Sequence, residues 1–108
     1  MAQNFRRFIA RNVTTAASTI LTANSYDTII GISLANTTSS AVNASVYITS
    51  SAADYYIVKN APIPAGSSLQ VIDGGAKFVL ESGDALKVIS DTATSLDVIV
   101  SAVDDIST

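Results

Sequence analysis

Hydrophobic and polar positions alternate along most of this chain, in short runs. "AVNASVYITS" (41–50) is the clearest: Val42, Ala44, Val46 and Ile48 fall on one side, Asn43, Ser45, Tyr47 and Thr49 on the other. A period of two belongs to a strand with one face in a core. Similar signatures predict strands over 5–13, 17–23, 26–36, 54–60, 67–72, 76–81, 85–90 and 95–103. Within 26–36 the alternation sets Ile30, Ile32 and Leu34 against Ile29, Gly31 and Ser33. No segment of helical length carries an apolar stripe at i, i+3, i+4, i+7 spacing. "SSAAD" (50–54) has room for a helical turn at most.

Turn residues separate the runs: Asn36 through Ser40, Pro62 through Gly66, Asp73-Gly74-Gly75, Ser82-Gly83-Asp84, and Asp91 through Ser95. Glycine supplies the φ > 0 of tight turns, so Asp73-Gly74 and Ser82-Gly83 predict hairpins. About nine short strands at this spacing predict a single-domain antiparallel β-sandwich, jelly-roll or Ig-like. Several strands are apolar on both faces. In 95–103, Val98, Val100 and Ala102 oppose Ile99 and Val103. The surplus is expected at the ends of the fold or against another copy. "TIIGISL" and "LDVIVSAV" are aggregation-prone when unpaired, so both are expected in central strands or at covered edges.

Composition sharpens this picture. The chain has 108 residues, 48% hydrophobic and only 14% charged, well below the usual quarter charged. Ser and Thr make up roughly a quarter. So sparse a charge predicts that part of the surface is covered by another subunit; a Ser/Thr-coated monomer is the alternative. Arg6, Arg7 and Arg11 give the first eleven residues +3, and the remainder carries three lysines against nine acids, −6, which together make the net −3. The division marks residues 1–13 as a basic N-terminal arm ahead of a sandwich domain over 14–108. Arg6, Arg7 and Arg11 interleave with Phe5, Phe8 and Ile9, so the aromatics are expected to pack and the arginines to face out or dock on an acidic neighbour. Three arginines are too few to indicate nucleic acid.

The chain has no cysteine and no histidine, which excludes disulfides, zinc-thiolate sites, cysteine nucleophiles and His-based triads. No apolar run approaches the ~20 residues that span a bilayer, and no secretory signal is visible. A soluble protein made in the cytosol, with no membrane partner, is expected.

The remaining polar residues read as structural. Asp84 has Glu81 three residues away, but one carboxylate pair is thin for calcium, and Asp84 is placed to cap the free N–H groups of a turn built on Gly83. "DGGAK" (73–77) precedes a strand, not the helix N-terminus that phosphate loops exploit. Asp104 and Asp105 are neighbours on a strand and so point apart. Adjacent Tyr55 and Tyr56 face opposite sides of a strand, one packed and one exposed; with Tyr26 and Tyr47 they are candidate interface anchors or a sugar platform. The sequons at Asn12, Asn36 and Asn43 are expected by chance in so Ser/Thr-rich a chain. No catalytic, cofactor or metal residue is expected.

Residues 55–108 run Tyr-x-Ile-Val, then Pro62-Ile63-Pro64-Ala65-Gly66, then Leu69-Gln70-Val71, then "KFVLESGDALKV" (77–88), a Ser/Thr loop, and a last "LDVIVS" (96–101). Upstream stands "GISLAN" (31–36). Over 17–108 this resembles small structural proteins of tailed bacteriophages, of the cyanophage and marine-phage type. The motif is largely turn grammar. The resemblance implies an all-β sandwich, no enzyme activity and many symmetric copies in a virion. Its partners would be other copies and a major capsid or other virion protein, with no small-molecule substrate. A capsid decoration or cement protein is the expected role. A tail, neck or baseplate component is one alternative, and a carbohydrate-binding module for host attachment, using Tyr55 and Tyr56, is another.

Overall fold

A computed structural model of the chain describes residues 4–23, 27–72 and 77–104. Nine strands build it: β1 (Asn4–Val13), β2 (Ser18–Thr22), β3 (Asp27–Asn36), β4 (Val42–Ser50), β5 (Ala53–Ile63), β6 (Ser68–Ile72), β7 (Phe78–Leu80), β8 (Ala85–Ser90) and β9 (Leu96–Asp104). No helix occurs among the described residues.

The strands pair in a nested order. β4 pairs β5, β3 pairs β6 and β7, β2 pairs β8, and β1 pairs β9, all antiparallel. This is one long hairpin whose tip is the Ser51–Ala52 turn. Its arms fold over so that β9 also pairs β3 and β8 also pairs β4. Two sheets result, β1-β9-β3-β6 with β7 on the same edge of β3, and β2-β8-β4-β5. That is jelly-roll topology, and it decides between the two expected sandwiches.

The core between the sheets is aliphatic. Its largest fully buried side chains include Ile29, Ile32, Leu34, Ile63, Leu80, Leu86 and Leu96, with a set of valines and no aromatic ring. Val42, Ala44 and Val46 are buried as the alternation of β4 predicts. In β3 the alternation slips. A register shift between Ile29 and Gly31 turns the strand's phase, so Ile29 and Ile32 are both buried. Strict period-two counting had put them on opposite faces, and a bulge is what reverses a face. β3 and β9, the two aggregation-prone strands, are interior to their sheet.

Three local expectations change. The charge division predicts a separate arm over 1–13, but Asn4–Val13 is a strand in register with β9 from Asn4↔Asp104 to Val13↔Leu96, and Val13 is a core residue. The backbone of this segment finds its hydrogen bonds in the sheet, and charge alone carried no information on that. "SSAAD" is no helical turn: Ser51 and Ala52 both take positive φ, 52° and 65°, in a two-residue hairpin loop of the I′ kind. Ser82-Gly83 is a turn, but it links β7 in one sheet to β8 in the other and is not a hairpin. The expected hairpin at Asp73-Gly74, the "DGGAK" loop and Tyr26 lie outside the described residues, as do Asp105 and the side chain of Asp104.

Two side-chain clusters hold the loops. Asn36 is buried; its Nδ2 donates to the carbonyls of Ser40, Ile63 and Pro64 at 2.8, 3.0 and 3.2 Å. Its Oδ1 accepts from the backbone N–H and the hydroxyl of Thr38 at 2.9 and 2.8 Å. One amide thus ties the β3–β4 loop to the β5–β6 loop. At the other cluster, the buried hydroxyls of Ser90 and Ser95 lie 2.6 Å apart. Ser95 gives its only proton to the carbonyl of Thr92 (2.7 Å), so Ser90 is the donor between them, while accepting from Thr92 N–H at 3.1 Å.

Candidate functional site

Asp84 settles as a turn residue. Its N–H donates to the Glu81 carbonyl at 2.9 Å, and its carboxylate accepts from the Glu81 N–H at 3.0 Å. Gly83 holds φ +92° between them and donates to the Ala23 carbonyl at 2.8 Å. The carboxylate is used in closing the β7–β8 turn, while the backbone of Gly83 and Asp84 holds that turn to Ala23 at the end of β2. Among the described residues no group of three or more acids is placed to hold a metal ion.

What stands out instead is apolar surface on the outer face of the five-stranded sheet. Phe5, Ile9, Val79 and Ile99 are 78, 59, 60 and 51% exposed. The register arranges them. Phe5 pairs Val103, Val103 pairs Thr28, and Thr28 pairs Val79, a lateral row across β1, β9, β3 and β7. Ile9 pairs Ile99, Ile99 pairs Ser33, and Ser33 pairs Gln70, whose amide donates to the Ser33 hydroxyl at 3.0 Å. Between these rows run Arg7, Ser101 and Gly31. Gly31 and Ser101 are small, so the strip is low there, while the exposed Arg7 stands at its β1 end. Two rows with apolar members flank this polar strip.

The predicted arm residues divide along β1. Phe8 is half-buried against the core, with the Arg6 guanidinium 5.2 Å from its ring centroid in a cation–π contact. Phe5 does not pack as expected. It shares the outer face with Arg7, Ile9 and the exposed Arg11, because successive strand residues alternate sides. Arg7, Ile9, Arg11, Asp97 and Ile99 line an open depression of about 410 Å³ beside the bulge, where Asn12 N–H donates to the Asp97 carboxylate at 3.3 Å.

The tyrosine pair sits on the other sheet. Tyr55 and Tyr56 are both exposed, at 61 and 47%, where one was expected to pack. β5 is an edge strand, so even its inward positions lack cover on one side. Tyr47 lies beneath Tyr56 with centroids 4.9 Å apart and planes at 37°, and Lys59 Nζ stands 5.0 Å from the Tyr56 centroid. Burial, then the nearby Asp54 carboxylate and Tyr56, push the Tyr47 hydroxyl above its ordinary pKa. The structure does not bring Tyr55 and Tyr56 together with the β1 residues, which belong to the opposite sheet. Ile99 and Val103 stand out as surplus in a doubly apolar strand, whereas Val79 does not, because pairing across strands, not spacing along one, places it in the row.

No protein-family model matches the chain, and no curated protein does. Solved structures do. The chain is similar to a pentameric capsid protein isolated from metagenomic phage sequences, at a TM-score of 0.53 and 18% identity over 94% of its length. It spans 61% of that protein. A second structure of a pentameric capsid protein from metagenomic phage sequences matches at 0.51 and 17%, covering 94% of this chain and 68% of that one. A Bacillus endospore appendage protein, from a family of disulfide-linked pili, matches at 0.57 and 14%, over 98% of this chain and 88% of that one. At such identities the likeness is one of fold.

Proposed function

We propose that this chain is a structural component of a bacteriophage virion that acts by protein–protein contact without catalysis, as a capsid decoration or cement protein. The observation that carries the reading is the pair of apolar rows on the outer face of the β1-β9-β3 sheet. No core residue needs them, and they are aligned across strands as an interface would be. The fold likeness to two phage capsid proteins supports it, as does the resemblance of residues 17–108 to small phage structural proteins. The pilus protein of similar fold points the same way, toward a jelly roll repeated in many copies, although a chain without cysteine cannot be linked by disulfides.

The energetics fit repetition. Covering Phe5, Ile9, Val79 and Ile99 from their half-exposed state yields about 1–2 kcal/mol each. A gross gain of roughly 4–8 kcal/mol only balances the ~4–15 kcal/mol cost of holding two free bodies together. One contact is therefore weak, while many copies on a lattice add up.

Quantitative mass spectrometry of purified virions tests this. The expected result is a copy number comparable to that of the major capsid protein, with particles lacking this protein still assembling but losing DNA at lower temperature. Absence from virions overturns the reading, and a copy number of a few per particle moves the protein to the tail, neck or baseplate.

A further inference from the structure

We propose that β1 is a docking edge on which residues 4–10 accept an extended acidic segment of a partner protein as an added strand. The sandwich has four sheet edges, and three are blunted as soluble proteins blunt them. β2 has five residues and a register shift between Thr19 and Leu21. β5 carries two shifts against β4, a positive φ at Asn60 and Pro62, which has no N–H to offer. The third edge is split into β6 and β7, five and three residues long. β1 differs. Its register against β9 runs unbroken from Asn4 to Ala10, without proline, so alternate N–H and C=O groups on its far side form a regular ladder to which no further strand is paired among the described residues.

Charge selects the occupant. β1 holds Arg6, Arg7 and Arg11 and no acid. A second β1 laid antiparallel about Arg7, the register that aligns the apolar rows by setting Phe5 against Ile9, would oppose Arg7 to Arg7, and like charges opposed across strands are destabilising. An acidic strand reverses the sign. The outward residues Phe5, Arg7 and Ile9 then specify a complement of pattern apolar-x-acid-x-apolar, and its apolar side chains would extend the two rows already formed by Phe5–Val103 and Ile9–Ile99. This rests on the building-block reading above for where the partner is found, and names that partner's chemistry.

The test uses the full chain and a peptide, Val-Thr-Val-Thr-Glu-Thr-Val-Thr-Val, followed by amide hydrogen exchange and calorimetry. The peptide should slow exchange within residues 4–10, and its affinity should fall as salt rises. Arg7→Glu should weaken binding by about tenfold with unchanged thermal unfolding, since Arg7 is exposed, and a Lys-centred peptide should restore it. Ile9→Thr should also weaken it. Protection at β2 or β5 instead, equal binding of the Lys-centred peptide by the unmodified protein, or self-association that protects 4–10 without peptide each overturns the proposal. The virion measurement is independent: presence in virions with no peptide effect sinks this inference alone, and the reverse result sinks only the virion reading.

Discussion

Replacing Asn36 probes the whole sandwich at one residue. Asn36→Ala removes five hydrogen bonds. The bond to the Ile63 carbonyl is buried, so that acceptor is stranded, at a cost of about 1–3 kcal/mol. The other four partners lie where water reaches them, and together they add roughly 1–2 kcal/mol. The expected loss is then about 2–5 kcal/mol, a large share of the ~5–15 kcal/mol that holds a domain of this size. Asn36→Asp refines the argument. It keeps an oxygen for Thr38 but turns a second one toward three carbonyls, so above neutral pH it should be at least as damaging as alanine. A carboxyl facing carbonyls has its folded pKa raised above the unfolded ~3.9. Its destabilisation is therefore full above the folded pKa and shrinks as pH falls toward the unfolded value. Urea unfolding of the three proteins between pH 3 and 7 measures this. If Asn36→Ala stays within about 0.5 kcal/mol of the parent, a typical inconsequential surface change, the clasp is not what joins the loops. If Asn36→Asp does not recover relative to the parent at low pH, the orientation assigned to the amide is wrong.

Three further outcomes follow from the same structure. Ser51→Asn together with Ala52→Gly puts residues suited to φ > 0 at the tip of β4–β5 and should add about 1 kcal/mol in thermal or urea unfolding; no gain would mean the loop is not a I′ turn. Deleting residues 1–13 strips β1 from β9 and removes Val13 and Phe8 from the core, worth about 3–5 kcal/mol of apolar burial alone, so the truncated chain should lose cooperative unfolding by circular dichroism, and a stable folded product would restore the idea of a separate arm. Asp91 has its pKa lowered, chiefly by the backbone N–H of Asn43 at 3.0 Å and then by Thr92. Its contribution is present above the unfolded pKa and lost as pH falls through the folded one, and Asp91→Asn should flatten the acid limb of the stability profile.

Much of the fold was legible because strand signals are local. Alternation in 41–50, the turn at Ser82-Gly83-Asp84 and the cap role of Asp84 needed only nearby residues, and each is in place. The misreadings share a cause in geometry that no local pattern carries. The bulge in β3 reverses a face beside Gly31, and a lone glycine signals that a strand can bulge without saying which way its phase turns. Ser51-Ala52 closes a hairpin without the Asn-Gly that such a turn prefers. The basic charge of 1–13 looked like an arm because nothing in those residues reveals that β9, some ninety positions later, is waiting to pair with them. The exposed apolar rows were half legible: doubly apolar strands announced a surplus, but only pairing across β1, β9, β3 and β7 shows that the surplus is aligned.

The nested hairpin has a mechanical consequence. Asn4 stands opposite Asp104, so the two ends of the described chain leave from one corner. Tension applied there would peel β1 from β9 one rung at a time, the soft direction for a ladder of hydrogen bonds. Tension carried across the broad sheet faces instead loads every rung at once. If the protein is built into a virion shell, as proposed, contacts through its faces with the ends left slack would be the arrangement that best resists a swelling container.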